Sequence, residues 1–259
     1  MTRAVVATLL VVGLGAGTAL AQRRGGYGGG MRFGGGSGAP IAPNLPYDGR
    51  FTFIRLRYGP PIPYQTQRVG WSHDYPEGEQ HFTKILNELS YLGARVEQSN
   101  VMALDDPELS RYPVAYMCEP GRWQMTDDEA AKFRAYLLKG GFVFFDDYRG
   151  PYDWNNFELQ MRRVLPEGQW LDLELSNPVY HVFFEIKTLD VPQYYDRGAA
   201  SFRAIYEDND PTKRIVALAN FNTDISEYWE WSDTGLKPID ESNEAYKIGV
   251  NYIIYGMTH

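Results

Sequence analysis

The stretch KGGFVFFDDYRG, Lys139 to Gly150, decides the fold of this chain. Four consecutive apolar residues, Phe142 to Phe145, leave no polar face, the pattern of a strand buried on both sides in a parallel sheet under helices. Ahead of it, Thr126-Asp127-Asp128-Glu129 reads as a capping box, in which the Thr hydroxyl and the Glu129 carboxylate satisfy the first free amides of a helix. Phe133, Tyr136, Leu137 and Leu138 follow at helical spacing, and Gly140-Gly141 supply a left-handed stop. Upstream, YPVAYMCEPG (Tyr112 to Gly121) reads as another buried strand. Strand, capped helix, Gly-Gly, strand is a right-handed crossover unit.

Working outward, FTFIRLRY (Phe51 to Tyr58) predicts a strand ended by GPPIP, and ARVEQSNV, WLDLEL, ASFRAIYE and KRIVALAN predict four more. Helical periodicity marks Glu79 to Leu92, NNFELQMRRVL and the closing EAYKIGVNYIIYGMTH. The expected architecture is a three-layer α/β domain over residues 50–259, its central sheet mostly parallel with helices on both faces.

The first 21 residues read as a secretory signal: Arg3, an apolar run to Leu20, and the small-residue site Ala19-Leu20-Ala21. The rival reading is an uncleaved anchor, but the Gly- and Ala-rich run barely reaches the roughly 18–20 residues a spanning helix needs. Residues 22–49 form a flexible tether, with nine glycines between Gln22 and Pro46. Its scattered arginines also suit an RNA-binding segment, a reading that export makes the weaker one. We therefore expect an exported protein of the periplasm or cell envelope, with no transmembrane segment after cleavage. Residues 47–259 carry 33 acidic and 21 basic side chains (25 less Arg3, Arg23, Arg24 and Arg32), a net charge of −12 that excludes nucleic acid as a partner. The lone Cys118 excludes an internal disulfide, so the core alone must hold the fold.

The order FTFIRLRY, DYP, YPVAYM, LLKGGFVFFDD, LP, NPVYHVFF, YWEW and YKIGVNYIIYGMT, from Phe51 to the C-terminus, resembles a bacterial family catalogued as domain of unknown function 4159. That family is similar to the class I glutamine amidotransferase-like, flavodoxin-like α/β folds. The resemblance implies a fold and an association with the cell envelope, and no established activity. Amidotransferases of that kind place a nucleophilic Cys on a sharp strand-to-helix turn. Here the corresponding strand end reads FFDDYRG, with Asp146 where the nucleophile would stand. Cys118 falls one strand earlier beside Glu119, whose charge would raise a thiol pKa, so it reads as a buried small residue. No catalytic residue is expected on this reading.

Ligands of doubly wound sheets bind outside the carboxyl ends of the strands, which is where Asp146 and Asp147 fall. Either of them, with Asp74 of WSHDYP and His181 of NPVYHVFF, could form a hard-cation or hydroxyl-binding site. The simpler alternative makes Asp147 a turn former, Asp146 an acceptor for loop amides and His181, in its apolar aromatic setting, a satisfied structural histidine. His73 and His81 bracket Asp74 and Glu79 without zinc spacing, and no resident metal or cofactor is expected. FNTDISEYWEWSD (Phe221 to Asp233) sets Asp224, Glu227, Glu230 and Asp233 around Tyr228, Trp229 and Trp231, a possible aromatic surface for a glycan. Its alternative is a loop whose tryptophans plug the core while its acids stay solvated. There is no Walker loop, no GxGxxG after a strand and no GxSxG. The leading function class is a non-catalytic binding or scaffolding module for an envelope protein or glycan. The second is a carboxylate- or metal-dependent hydrolase of a sugar or peptide.

Overall fold

The computed structural model describes residues 41–59, 70–191 and 198–259. The leader, the tether up to Pro40 and most of the GPPIP turn lie outside the described residues. Seven strands, β1 (Ile54–Arg57), β2 (Asn100–Ala103), β3 (Val114–Cys118), β4 (Phe142–Tyr148), β5 (Leu171–Asp172), β6 (Ser201–Tyr206) and β7 (Ile215–Phe221), form one sheet in the order β2-β1-β3-β4-β7-β6-β5. From β2 to β7 every pairing is parallel, and β6 and β5 extend the sheet antiparallel. The helices are α1 (Glu77–Leu89), α2 (Asp127–Leu138), α3 (Gly150–Val164), α4 (Ser226–Glu230) and α5 (Ile239–Thr258).

β4 is interior, hydrogen-bonded in parallel to β3 and β7, and all of its residues are buried. Alternation splits its side chains between two cores. Phe142 and Phe144 join Phe82 and Leu86 of α1 and Tyr252 of α5; Val143 and Phe145 join Phe133 and Leu137 of α2 and Phe157 of α3. Burying each aromatic ring is worth about 1.5–3 kcal/mol, so neither face could tolerate a polar residue. The Thr126 cap forms as expected, Glu129 N donating to Thr126 Oγ1 at 3.2 Å and Thr126 N to Glu129 Oε2 at 2.7 Å. Gly140 takes φ +114°, and a Cβ on Gly141 would run into the Tyr136 ring.

Three details differ from expectation. The strand anticipated in ARVEQSNV starts only at Asn100, and that in WLDLEL shrinks to two residues, because β5 sits at the sheet edge with one neighbour. The region after β7 contains α4 rather than a loop. Finally, the end of the stretch read as a tether is docked along the edge strand β2. Asn44 exchanges two hydrogen bonds of 2.9 Å with the Val101 backbone, and the Asn100 side chain bonds both Leu45 N (2.8 Å) and Leu45 O (2.9 Å). These amide pairs occupy backbone groups that would otherwise offer an open edge.

Candidate functional site

The carboxyl ends of β1, β3, β4 and β7 are neighbours in the sheet, and each delivers acidic residues to one rim. The segment following β1 is pinned from below. Arg55, buried in β1, forms a bidentate pair with Glu79 of α1 (Nε–Oε1 and Nη2–Oε2, both 2.7 Å). Its Nη1 donates to the carbonyls of Trp71 and His73, each at 2.9 Å, and so fixes where His73 and Asp74 project. Asp74, just ahead of α1, and Glu119, Asp147 and Asn222, at the ends of β3, β4 and β7, are non-glycine residues with φ between +45° and +60°, as are Asp208 and Asn209 in the β6–β7 turn. Left-handed backbone of this kind costs of order 1–3 kcal/mol each and concentrates at functional sites.

Asp146 is held by donors on three sides. Ile225 N (2.9 Å) and Ser226 N (3.1 Å) donate to Oδ2, and Asn220 Nδ2 (3.2 Å) donates to Oδ1. Tyr252 in α5 in turn donates to Asn220 Oδ1 at 3.0 Å. Asp146 therefore anchors the start of α4, close to the expected role of an acceptor for loop amides. Asp147 leaves the strand alternation where the register of β4 against β7 shifts. It accepts from His73 Nδ1 at 2.6 Å and from the Arg149 guanidinium, with the Cys118 thiol 3.9 Å away.

Asp74 accepts from Ser226 Oγ at 2.6 Å, and Asp224 accepts from Glu227 N at 2.9 Å. Asp74, Glu227 and Glu230 face one another, with one carboxylate oxygen of each within 4.8 Å of the other two. All three are buried, at 0%, 7% and 5% exposure. Lys237 reaches Glu227 at 3.0 Å. No N–H or hydroxyl of a described residue hydrogen-bonds Asp74 Oδ1 or Glu230 Oε2.

The charges on this rim are mutually unfavourable. Burial, followed by the charge of Asp224, pushes Asp146 and Asp147 well above the ordinary carboxylate range. Burial and the charge of Asp74 also raise Asp224. Burial, the charge of Asp74 and a hydrogen bond shared with it push Glu230 up to about 9, so Glu230 carries a proton at neutral pH. Burial works against a charged His73, but Asp74 and Asp147 outweigh it and hold the ring as imidazolium. The Cys118 thiol is driven up mainly by burial and stays protonated, as its reading as an inert small residue requires.

Of the residues singled out in the sequence, Asp74, Asp146 and Asp147 converge. His181 does not join them: it caps a short 3-10 turn, its Nε2 2.6 Å from Leu175 O and its Nδ1 2.9 Å from Glu185. Of the three aromatic residues of the expected surface, only Trp231 stays partly exposed. Tyr228 and Trp229 are 3% and 1% exposed, with Trp229 against Phe82 at 4.4 Å between ring centres, because the short α4 turns them into the core. Their acidic neighbours are not solvated as expected: Asp224, Glu227 and Glu230 are buried on the rim, and only Asp233 is open. A signal for this was present. Asp224-x-x-Glu227 is a helix-start pattern, and Glu227 and Glu230, three apart, share one face of the helix it opens. His73 was weighed only as a zinc ligand, and Lys237 gave no signal.

A comparison with curated proteins finds no match. The family model described as Domain of unknown function (DUF4159) matches residues 52–257, which span every strand and every helix above except the last residue of α5, and the chain belongs to that family.

Proposed function

We propose that this protein is an exported, non-catalytic binding module of the bacterial cell envelope whose ligand presents a positive charge to the acidic rim. The observation that carries the reading is the meeting of Asp74, Glu227 and Glu230 in one buried place, where two of their oxygens take no N–H or hydroxyl from the described residues and Asp74 has only the proton it shares with Glu230 on that side. Buried polar atoms are nearly always satisfied, so an enclosed acidic group short of donors is a receptor for a cation. The apolar leader and Gly-rich tether support export, and among the described residues no helix is long and apolar enough to cross a membrane. The glutamine amidotransferase-like likeness belongs to the same proposal, supported by the mostly parallel sheet and its acidic strand ends.

A thermal-shift screen tests the reading. Metal ions, polyamines and cationic peptides are added to wild type and to Asp74→Asn. A stabilising cation whose effect Asp74→Asn abolishes supports it, and a screen with no such cation sinks it.

One observation favours the second reading, a carboxylate hydrolase of a sugar or peptide. A protonated Glu230 beside Asp74 is the kind of split acid pair that general acid–base catalysis uses. The enclosure of both groups weighs against it, because a glycosidic or peptide bond has to reach them. Release of reducing ends or amines from envelope polymers, lost in Glu230→Gln, would establish that activity.

A further inference from the structure

We infer that Asp74, Glu227 and Glu230 form a binding site for one hard divalent cation, Ca²⁺, Mg²⁺ or Mn²⁺, a more specific claim that rests on the cationic-ligand reading above. Two other groups of potential ligands lie on the same rim, His73 with Asp74 and Cys118, and His73 with Glu119 and Asp147. Both depend on His73. Its Nδ1 is committed to Asp147 at 2.6 Å, and its Nε2 faces Asp74 Oδ1 at 3.7 Å, so the ring serves as a fixed cation and has no free lone pair to give. Asp147 is further occupied by Arg149, and Cys118 is a buried thiol rather than a thiolate. A soft-metal centre of the zinc type is therefore disfavoured by the chemistry of its own donors.

The remaining trio is all oxygen. Three carboxylates from two elements, the loop after β1 and α4, converge with one oxygen each within 4.8 Å, the span of ligands around a single ion. Two independent features point to a ligand at this place. Asp74 Oδ1 and Glu230 Oε2 are buried and take no hydrogen bond from an N–H or hydroxyl of the described residues. Asp74 is also held in aim, its other oxygen taken by Ser226 Oγ at 2.6 Å and its loop fastened by Arg55. Lys237 meets the trio from the Glu227 side at 3.0 Å, and His73 Nε2 lies 3.7 Å from Asp74 Oδ1, so the ion would bind between Asp74 and Glu230 in place of their shared proton. With three protein carboxylates and water completing the shell, the expected dissociation constant is about 10⁻⁴–10⁻³ M, that of extracellular calcium modules.

The test uses the chelator-treated full chain. CaCl₂, MgCl₂ and MnCl₂ are titrated by calorimetry and thermal melting, with spermidine as an organic cation arm. Wild type is expected to take up one ion per chain and to melt about 5–10 °C higher at a hundredfold excess over Kd. Glu230→Gln, which keeps the shape but cannot release a proton to become a carboxylate ligand, should weaken binding at least tenfold, and Asp74→Asn should abolish it. Asp233→Asn, at an exposed acid outside the trio, should bind as wild type does. No metal response up to about 10 mM, or a response that survives both Asp74→Asn and Glu230→Gln, overturns the inference. A spermidine response that depends on Asp74, without any metal response, overturns it and leaves the broader reading standing. Silence in every arm removes both.

Discussion

Two buried polar centres lie next to each other at the end of β1, and they are built on opposite principles. In the first, Arg55 and Glu79 are at most 1% exposed, and Arg55 uses its guanidinium on two carboxylate oxygens and two carbonyls. Glu79 also accepts from Ser99 at 3.2 Å. In the second, reached through the very loop that Arg55 holds, carboxylates crowd one another and two oxygens take no N–H or hydroxyl from the described residues. The satisfied centre is structural: it sets the path of residues 71–73 and nothing in it is left to bind. The second is enclosed by the same scaffold, with Asp74 itself in a left-handed turn. A buried charge therefore signals function only when its accounts of donors and acceptors fail to close.

The largest test of this contrast is Arg55→Met. It strands Glu79 without its partner and releases two carbonyls, so stability should fall by about 3–5 kcal/mol in denaturant unfolding. A loss under 1 kcal/mol would mean that the pair does not anchor the loop.

The second test is pH. Folded-state values above the ordinary range mean that the native protein holds protons the unfolded chain releases. Glu230, at about 9 against 4.5, contributes stability that is complete below 4.5 and lost as pH rises through about 9. Asp146, Asp147 and Asp224, shifted in the same direction, add the same sign, as does the raised His73. In chelator, the melting temperature should fall by several degrees between about pH 5 and 9. A rise over that range would contradict the crowding of the rim.

Ser99→Ala probes the satisfied centre more gently. Removing one of several donors to Glu79 should cost about 1 kcal/mol, measured by denaturant midpoint at unchanged slope.

The smallest effect is expected from Glu230→Gln without metal. At neutral pH Glu230 is already uncharged, so the change should stay within about 0.5 kcal/mol of wild type. At about pH 9.5 the variant should be the more stable of the two, because glutamine cannot ionise against Asp74. A loss at both pH values would show that Glu230 is held by contacts rather than by a shared proton.

Much of the fold could be read directly. Phe142 to Phe145 announced an interior strand because a residue run without a polar face fits only a sheet covered twice, and the Thr126 box and Gly140-Gly141 marked the helix before it. The β5 edge could not be read, since a two-residue pairing leaves no period to detect. Of the site, Asp146 and Asp147 were legible as strand-end acids. Their partners were not, because Asp74 and Ser226 are 152 residues apart and meet only through the sheet order. His181 is the structural histidine that its apolar aromatic setting suggested, but that setting did not say what it packs against.

The amino-acid order by itself determined the alternation of strands and helices, the interior rank of β4 and the acidic strand ends, since these follow from period, capping and glycine stops within a few neighbouring residues. Tertiary structure alone decided which carboxylates meet, which of them find donors, and that Trp229 faces the core while Glu230 faces Asp74. Donor satisfaction and charge crowding are properties of residues far apart in the chain, and they exist only once the strands have been placed side by side.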